Sequence, residues 1–353
     1  MKAAVLNAFG EPLAIQTLPA PAAGSGSVVV DMVAAGVTSY AANIFNGSRN
    51  YALELPVAPG AGGVGRVRAT GPDSTRLQVG DWVFCEPTIH ARDNATDTIL
   101  QGWTYRTEAA LPLHRVYHHG SYAEQMLVPT ENVTPIGEID PADAGRWCAM
   151  GRLLVPYGGL LAGNLRPGET LVVSGATGGF GGAGVAVALA MGAGRVVATG
   201  RNARSLDDLA RRFGPRVRPV QMTGVEADDR ENIIEAGGGP IDMVLDFLPR
   251  EASASQVQAA ILAVGHGGRM VLMGGVRSDL TLSYNMLMHK ELTLIGAWMY
   301  PRDAIPKMVR MVRAGLIDLG QYALTEFALG DANDAVAHAA ANAGPFGLTV
   351  IRP

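Results

Sequence analysis

The apolar and polar positions of this chain follow two different rhythms. Over roughly the first 150 residues the apolar positions come in short runs. Examples are Val28-Val29-Val30-Asp31-Met32-Val33, the alternating Gly63–Ala69, Gly80-Asp81-Trp82-Val83-Phe84 and Ser121–Val128. Gly and Pro punctuate them, as at Gly71-Pro72, so each predicts a short strand ended by a turn. Strands of this length and spacing predict a compact β-barrel-like unit. Residues 86–119 interrupt the rhythm: His90, Arg92, Asp93, Asn94, Gln101 and Arg106 stand among scattered aromatics. A polar stretch of that length predicts an irregular surface excursion of the lid or substrate-loop kind.

Near residue 150 the rhythm changes. Leu171-Val172-Val173-Ser174 is continuously apolar, followed by a glycine loop and a helix from about Gly182 to Met191. Further strands are predicted at 195–199, 217–221, 243–246, 269–273 and 292–296. They alternate with helices near 205–213, 228–236 and 253–264. Buried strands alternating with helices predict an α/β fold with a doubly wound parallel sheet. Beyond Met299 the pattern predicts a helix over 304–314, a strand over 322–327, a helix over 332–341 and a last strand over 348–351, expected to return to the first domain. The division expected is therefore 1–151, a second domain over 152–298, and a return over 299–353.

Composition adds size and excludes some partners. Of 353 residues 48% are hydrophobic and 17% charged, enough for two buried cores and too apolar for a disordered chain. The net charge of −4 supplies no field for nucleic acid or anionic lipid, and Arg211, Arg212, Arg216 and Arg218 read as a solvated face. The opening apolar run is too short for a signal peptide, and Val185–Met191 reads as a buried helix, not a membrane span. Cys85 and Cys148 form no motif, which fits a reducing, cytoplasmic compartment.

The chemistry concentrates in Ser174-Gly175-Ala176-Thr177-Gly178-Gly179-Phe180-Gly181, between a predicted strand and a predicted helix. The spelling departs from G-x-G-x-x-G, but the context is that of a dinucleotide site: a tight turn presents backbone N–H groups and a helix N-terminus to a pyrophosphate. An NAD site would carry Asp or Glu about 20 residues further on. Here the second strand ends Ala198-Thr199-Gly200-Arg201-Asn202. Gly200 leaves room for a 2′-phosphate and Arg201 is placed to bind it, with Arg204 beyond, so NADP(H) is the expected cofactor. Phe247, Leu248, Gly274, Gly275, Val276 and Ala297 follow predicted strands at their carboxyl ends and are the expected contacts for the rest of the coenzyme.

On these features the chain resembles the medium-chain dehydrogenase/reductases, the family of zinc alcohol dehydrogenases and quinone oxidoreductases. The resemblance runs through Met1-Lys2-Ala3-Ala4-Val5, Gly36-Val37, Pro59-Gly60, Gly63-Val64-Gly65-Arg66-Val67, Val79-Gly80-Asp81-Trp82-Val83, Gly120-Ser121-Tyr122-Ala123-Glu124 and Leu165–Val173. It implies a GroES-like catalytic domain with a Rossmann domain, and a homodimer joined at the sheet edge over Leu292–Trp298. The zinc ligands of that family are missing: Thr38-Ser39 follow Gly36-Val37, Ala61-Gly62 stand where Gly-His-Glu would continue, and the third ligand position falls near Met150 or Gly151. Residues 86–119, where a structural zinc lobe would fall, contain no Cys, and His114, His118 and His119 read as lid or loop residues in preference to a metal site.

The resemblance to zinc-lacking relatives implies reduction of an enone C=C bond or a quinone, where hydroxyl donors can take the place of a metal. Thr38, Ser39 and Tyr40 are the candidate donors, with Tyr40 equally readable as a packed aromatic. Tyr157, Trp298 and Tyr300 are candidates for the substrate pocket. A zinc-independent carbonyl reductase or alcohol dehydrogenase, and an NADPH-binding protein without turnover, stay open as alternatives.

Overall fold

The computed structural model describes residues 1–94 and 96–353. Two compact units emerge, residues 1–151 with 319–343 and 347–353, and residues 152–318 with 344–346. The chain crosses back at Leu319 rather than 299, because the helix Ala304–Arg313 buries Ile305, Met308 and Val309 within the second unit.

In the first unit the strand Ser27–Val37 is the spine. It pairs antiparallel with Gly63–Thr70, Gln125–Pro129 and Gly347–Arg352. Val28, Val30 and Met32 point into a core with Val67, Val83, Met126 and Val128. The last strand thus returns to the first unit, antiparallel to Ser27–Val37 and parallel to Ala323–Ala328. Residues 86–119 are more ordered than an irregular excursion: Thr88–His90, Thr98–Leu100 and Thr104–Tyr105 form a small antiparallel sheet, and Leu111–Val116 is helical. Ile89, Ile99, Ala110 and Tyr117 give this lobe its own apolar centre. Strands of two or three residues are too short to show periodicity.

The second unit is a six-stranded parallel sheet. Its order is Val217–Gln221, Arg195–Gly200, Thr170–Ser174, Ile241–Asp246, Val264–Leu272, Thr293–Gly296. This is the doubly wound order with its reversal beside Thr170–Ser174, where ligands bind outside the carboxyl ends of the strands. The helix Gly179–Ala190 is apolar nearly all round, and Val185, Val187 and Ala188 are fully buried. The helix Ala203–Phe213 has one apolar stripe, with Leu206 and Leu209 buried. Its outer face carries Arg211 and Arg212, both bridged to Asp208. A helix that the strand-and-loop reading passes over, Met150–Ala162, contains Pro156 and carries Tyr157. Glycine is required at its Gly158, where a Cβ would stand 2.1 Å from the Met299 carbonyl oxygen. Among the described residues no helix is long and apolar enough to cross a membrane.

Candidate functional site

Ser174 ends a buried strand, and Gly175 turns the chain with φ +76°, a conformation open to glycine at little cost. The Ala176 N–H donates to the Thr199 carbonyl (2.8 Å) and the Gly178 N–H to the Gly175 carbonyl (3.0 Å), laying the loop across the ends of two neighbouring strands. Gly178 is the N-cap of Gly179–Ala190 and offers no side chain to that helix's first N–H groups. At Gly181 a Cβ would stand 2.1 Å from the Gly175 carbonyl oxygen, so the helix start and the turn approach as only glycine permits. This is a cradle of backbone donors, and it fits a pyrophosphate. Phe180 stacks on Phe247, centroids 6.1 Å apart.

The other coenzyme candidates are pinned to the same end of the sheet. The Phe247 N–H donates to the Ser174 carbonyl (3.0 Å), and the Gly275 N–H to the Leu248 carbonyl (2.9 Å). The Ala297 N–H donates to the Leu272 carbonyl (3.1 Å). Gly274 and Gly275 are exposed, Val276 half-buried. Arg201, Asn202 and Arg204 are exposed; the Asn202 side chain is engaged as a helix cap, accepting from the Ser205 N–H at 3.0 Å. One expectation needs correction. The space at Gly200 is not empty: a Cβ there would stand 2.5 Å from Thr177 Cγ2 and 2.9 Å from Thr177 Oγ1. Thr177 fills it.

Asp246 was legible only as part of a backbone segment. It ends its strand 2% exposed, and among the described residues its carboxylate accepts one long bond, from the Leu248 N–H (3.4 Å). Burial pushes its carboxyl up to about 7, against the modest opposite pull of that backbone bond. Glycine at 274 accommodates it, since a Cβ there would stand 2.5 Å from Asp246 Oδ2. Of the pocket candidates, Tyr157 and Tyr300 are buried within the second unit and Trp298 is 44% exposed.

In the first unit, Thr38, Ser39 and Tyr40 lie between the spine strand and the short helix Ala41–Phe45. The Thr38 hydroxyl is buried without a hydrogen-bond partner among the described residues, and Ser39 is exposed. The Tyr40 ring meets Trp103 edge-on at 5.6 Å, and the Arg49 guanidinium lies 4.0 Å over its face. Tyr40 is thus held by packing on both sides, whatever its hydroxyl does.

The donors for a metal do not fit. Among the described residues no group of three His, Cys, Asp or Glu side chains is arranged to hold one. Cys148 lies beside Gly36, 3.6 Å from where a Cβ would be, and is a single buried thiol with no second ligand grouped with it among the described residues. The three histidines serve the backbone instead. His114 Nε2 accepts from the Glu54 N–H (3.4 Å), His119 Nδ1 accepts from the Ala58 N–H (3.2 Å), and His118 Nε2 lies 2.8 Å from the Pro56 carbonyl oxygen, to which it donates.

Comparison with known proteins gives the same two-part architecture. A family model described as alcohol dehydrogenase GroES-like domain matches residues 24–138, and one described as zinc-binding dehydrogenase matches residues 179–314. An alcohol dehydrogenase of Moraxella sp. (strain TAE123) is 28% identical over 323 residues, 90% of each chain. A mitochondrial enoyl-[acyl-carrier-protein] reductase of Homo sapiens is 24% identical, covering 90% of this chain and 78% of its own. The solved structure of the alcohol dehydrogenase TADH from Thermus sp. ATN1 superposes over the full length of both chains with a TM-score of 0.81 at 22% identity, a likeness of fold.

Proposed function

This chain belongs to the medium-chain alcohol dehydrogenase family, and from that premise we propose that it is an NADPH-dependent oxidoreductase that reduces an activated C=C bond or a quinone without zinc. The observation that carries the coenzyme reading is the Gly175–Gly181 turn, where the helix start approaches the turn as closely as only glycine permits and no side chain caps the first N–H groups. Bound NADPH supplies a hydride. The chain's own part is to hold the pyrophosphate on the loop and helix start, and the 2′-phosphate through Arg201. Thr38, Ser39 and Tyr40 would donate hydrogen bonds to the acceptor's carbonyl oxygen as charge builds on it. That charge is spread over more atoms for an enone or quinone than for a simple ketone, so hydroxyl donors suffice without a Lewis acid. The residue types at Thr38, Ala61 and Gly151 support the zinc-free part of the reading.

A second reading, a zinc-independent carbonyl reductase or alcohol dehydrogenase, draws on relatives that are named alcohol dehydrogenase. NADPH oxidation is followed against matched enone, quinone, ketone and aldehyde panels, before and after chelator treatment. Turnover of enones or quinones, unchanged by chelator, is expected. Turnover of simple ketones alone selects the second reading, and coenzyme binding with no turnover selects an NADPH-binding protein without catalysis. We further propose a cytoplasmic homodimer. The two free, buried thiols support the compartment, and the open edge strand Thr293–Gly296 supports the pairing.

A further inference from the structure

We infer that Thr177 fixes the coenzyme preference of this chain, by occupying the place of any side chain at position 200 and keeping a hydroxyl there as a donor; the inference rests on the NADPH reading above. An NAD site needs a carboxylate at the end of the second strand to accept bonds from the ribose hydroxyls. That strand ends here at Gly200, and a Cβ built on it stands 2.5 Å from Thr177 Cγ2, 2.9 Å from its Oγ1 and 3.3 Å from its Cβ. All three atoms belong to a short β-branched side chain, stiff about its first torsion. The loop that carries it cannot withdraw. The Ala176 N–H is bonded to the Thr199 carbonyl, and Gly178 is bonded back to Gly175. Gly181 lies against the same Gly175 carbonyl with no room for a methyl group.

Thr177 therefore excludes an acid at position 200 by shape. It also acts by chemistry. No partner among the described residues bonds its hydroxyl, and the side chain stays half-buried against Gly200, the residue before the exposed Arg201 and Asn202. A hydroxyl donor at the strand end, with an arginine one residue beyond Gly200, suits a phosphate ester and gives a ribose hydroxyl much less. The two residues form one determinant, and changing either alone cannot convert NADPH preference to NADH preference.

The test measures NADPH and NADH dissociation constants and the melting temperature for the unaltered protein, Thr177→Val, Gly200→Asp and the double variant Thr177→Gly/Gly200→Asp. Thr177→Val keeps the shape and loses the donor. NADPH affinity should fall about tenfold, as expected for one hydrogen bond to a charged group, with NADH affinity within about twofold. Gly200→Asp alone should lower the melting temperature and weaken both coenzymes. The double variant should recover the melting temperature and favour NADH. If Gly200→Asp alone favours NADH as strongly as the double variant, or Thr177→Val binds NADPH as tightly as the unaltered protein, the inference falls and the NADPH reading stands. If the unaltered protein binds neither coenzyme, or favours NADH, that reading fails and takes this inference with it.

Discussion

A buried hydroxyl without a partner costs stability, and Thr38 has one. Such a group persists where something outside the folded chain uses it, or where the site leaves no alternative. Thr38→Val separates these, since it keeps the shape and removes the unpaired polar atom. It should leave the melting temperature unchanged or raise it, by up to about 1 kcal/mol of stability. If Thr38 donates to the acceptor's oxygen, turnover should fall about a hundredfold, the loss typical of one such donor. Tyr40→Phe is its counterpart. The ring is clamped by Trp103 and Arg49, so the variant should fold as before, and steady-state turnover alone reports on the hydroxyl. Unchanged turnover in both variants would remove the hydroxyl pair from the chemistry.

Elements were legible where their patterns were long. The three central parallel strands, Thr170–Ser174, Arg195–Gly200 and Ile241–Asp246, are mainly apolar runs between glycine or polar turns, and each of the six strands overlaps the place where the pattern predicts it. Met150–Ala162 has Pro156, Gly158 and Gly159 inside it, residues that weaken a helical pattern, yet Gly158 is there for close packing against Met299 and Tyr300. The pairing of Thr177 with Gly200 was hidden for another reason: the two are far apart in sequence and meet only because adjacent parallel strands end side by side. The strand Thr293–Gly296 was legible as a strand but not as an exposed one. Among the described residues it pairs only with Val264–Leu272. Leu294 is 39% exposed on it, and Tyr284 and Met288, on the helix just before it, are exposed as well. An open apolar edge is a template for a second strand. Leu294→Lys should shift the mass measured by light scattering from dimer to monomer at micromolar concentration, while the circular dichroism stays unchanged. A protein monomeric before the substitution would remove the edge from consideration.

At the scale of the whole molecule the two units carry buried titrating groups of opposite effect. In the second unit burial raises Asp246 from 3.8 to about 7, so between those values the folded state keeps a proton that the unfolded chain has lost. Stability of that unit therefore falls as pH rises through the window and levels off above about 7. In the first unit burial, and then the charge of His118, hold His114 and His119 down at about 4 against an ordinary 6.5. There the folded state binds fewer protons than the unfolded chain between those values, and stability falls as pH drops from 6.5 towards 4. Calorimetry across pH 4.5 to 8 should show the two dependences, resolved if the units melt separately and superposed as a shallow maximum near pH 7 if they melt together, because two histidines outweigh one carboxyl below that pH. Asp246→Asn should remove the second unit's decline between pH 4.5 and 7 and leave the first unit's loss on the acid side alone. His114→Gln with His119→Gln should do the reverse. A decline between pH 6 and 7 that survives Asp246→Asn would mean that this carboxyl already ionises in the folded protein at ordinary acid pH. The long bond from the neutral Leu248 N–H could not account for that, and a cation would have to reach it.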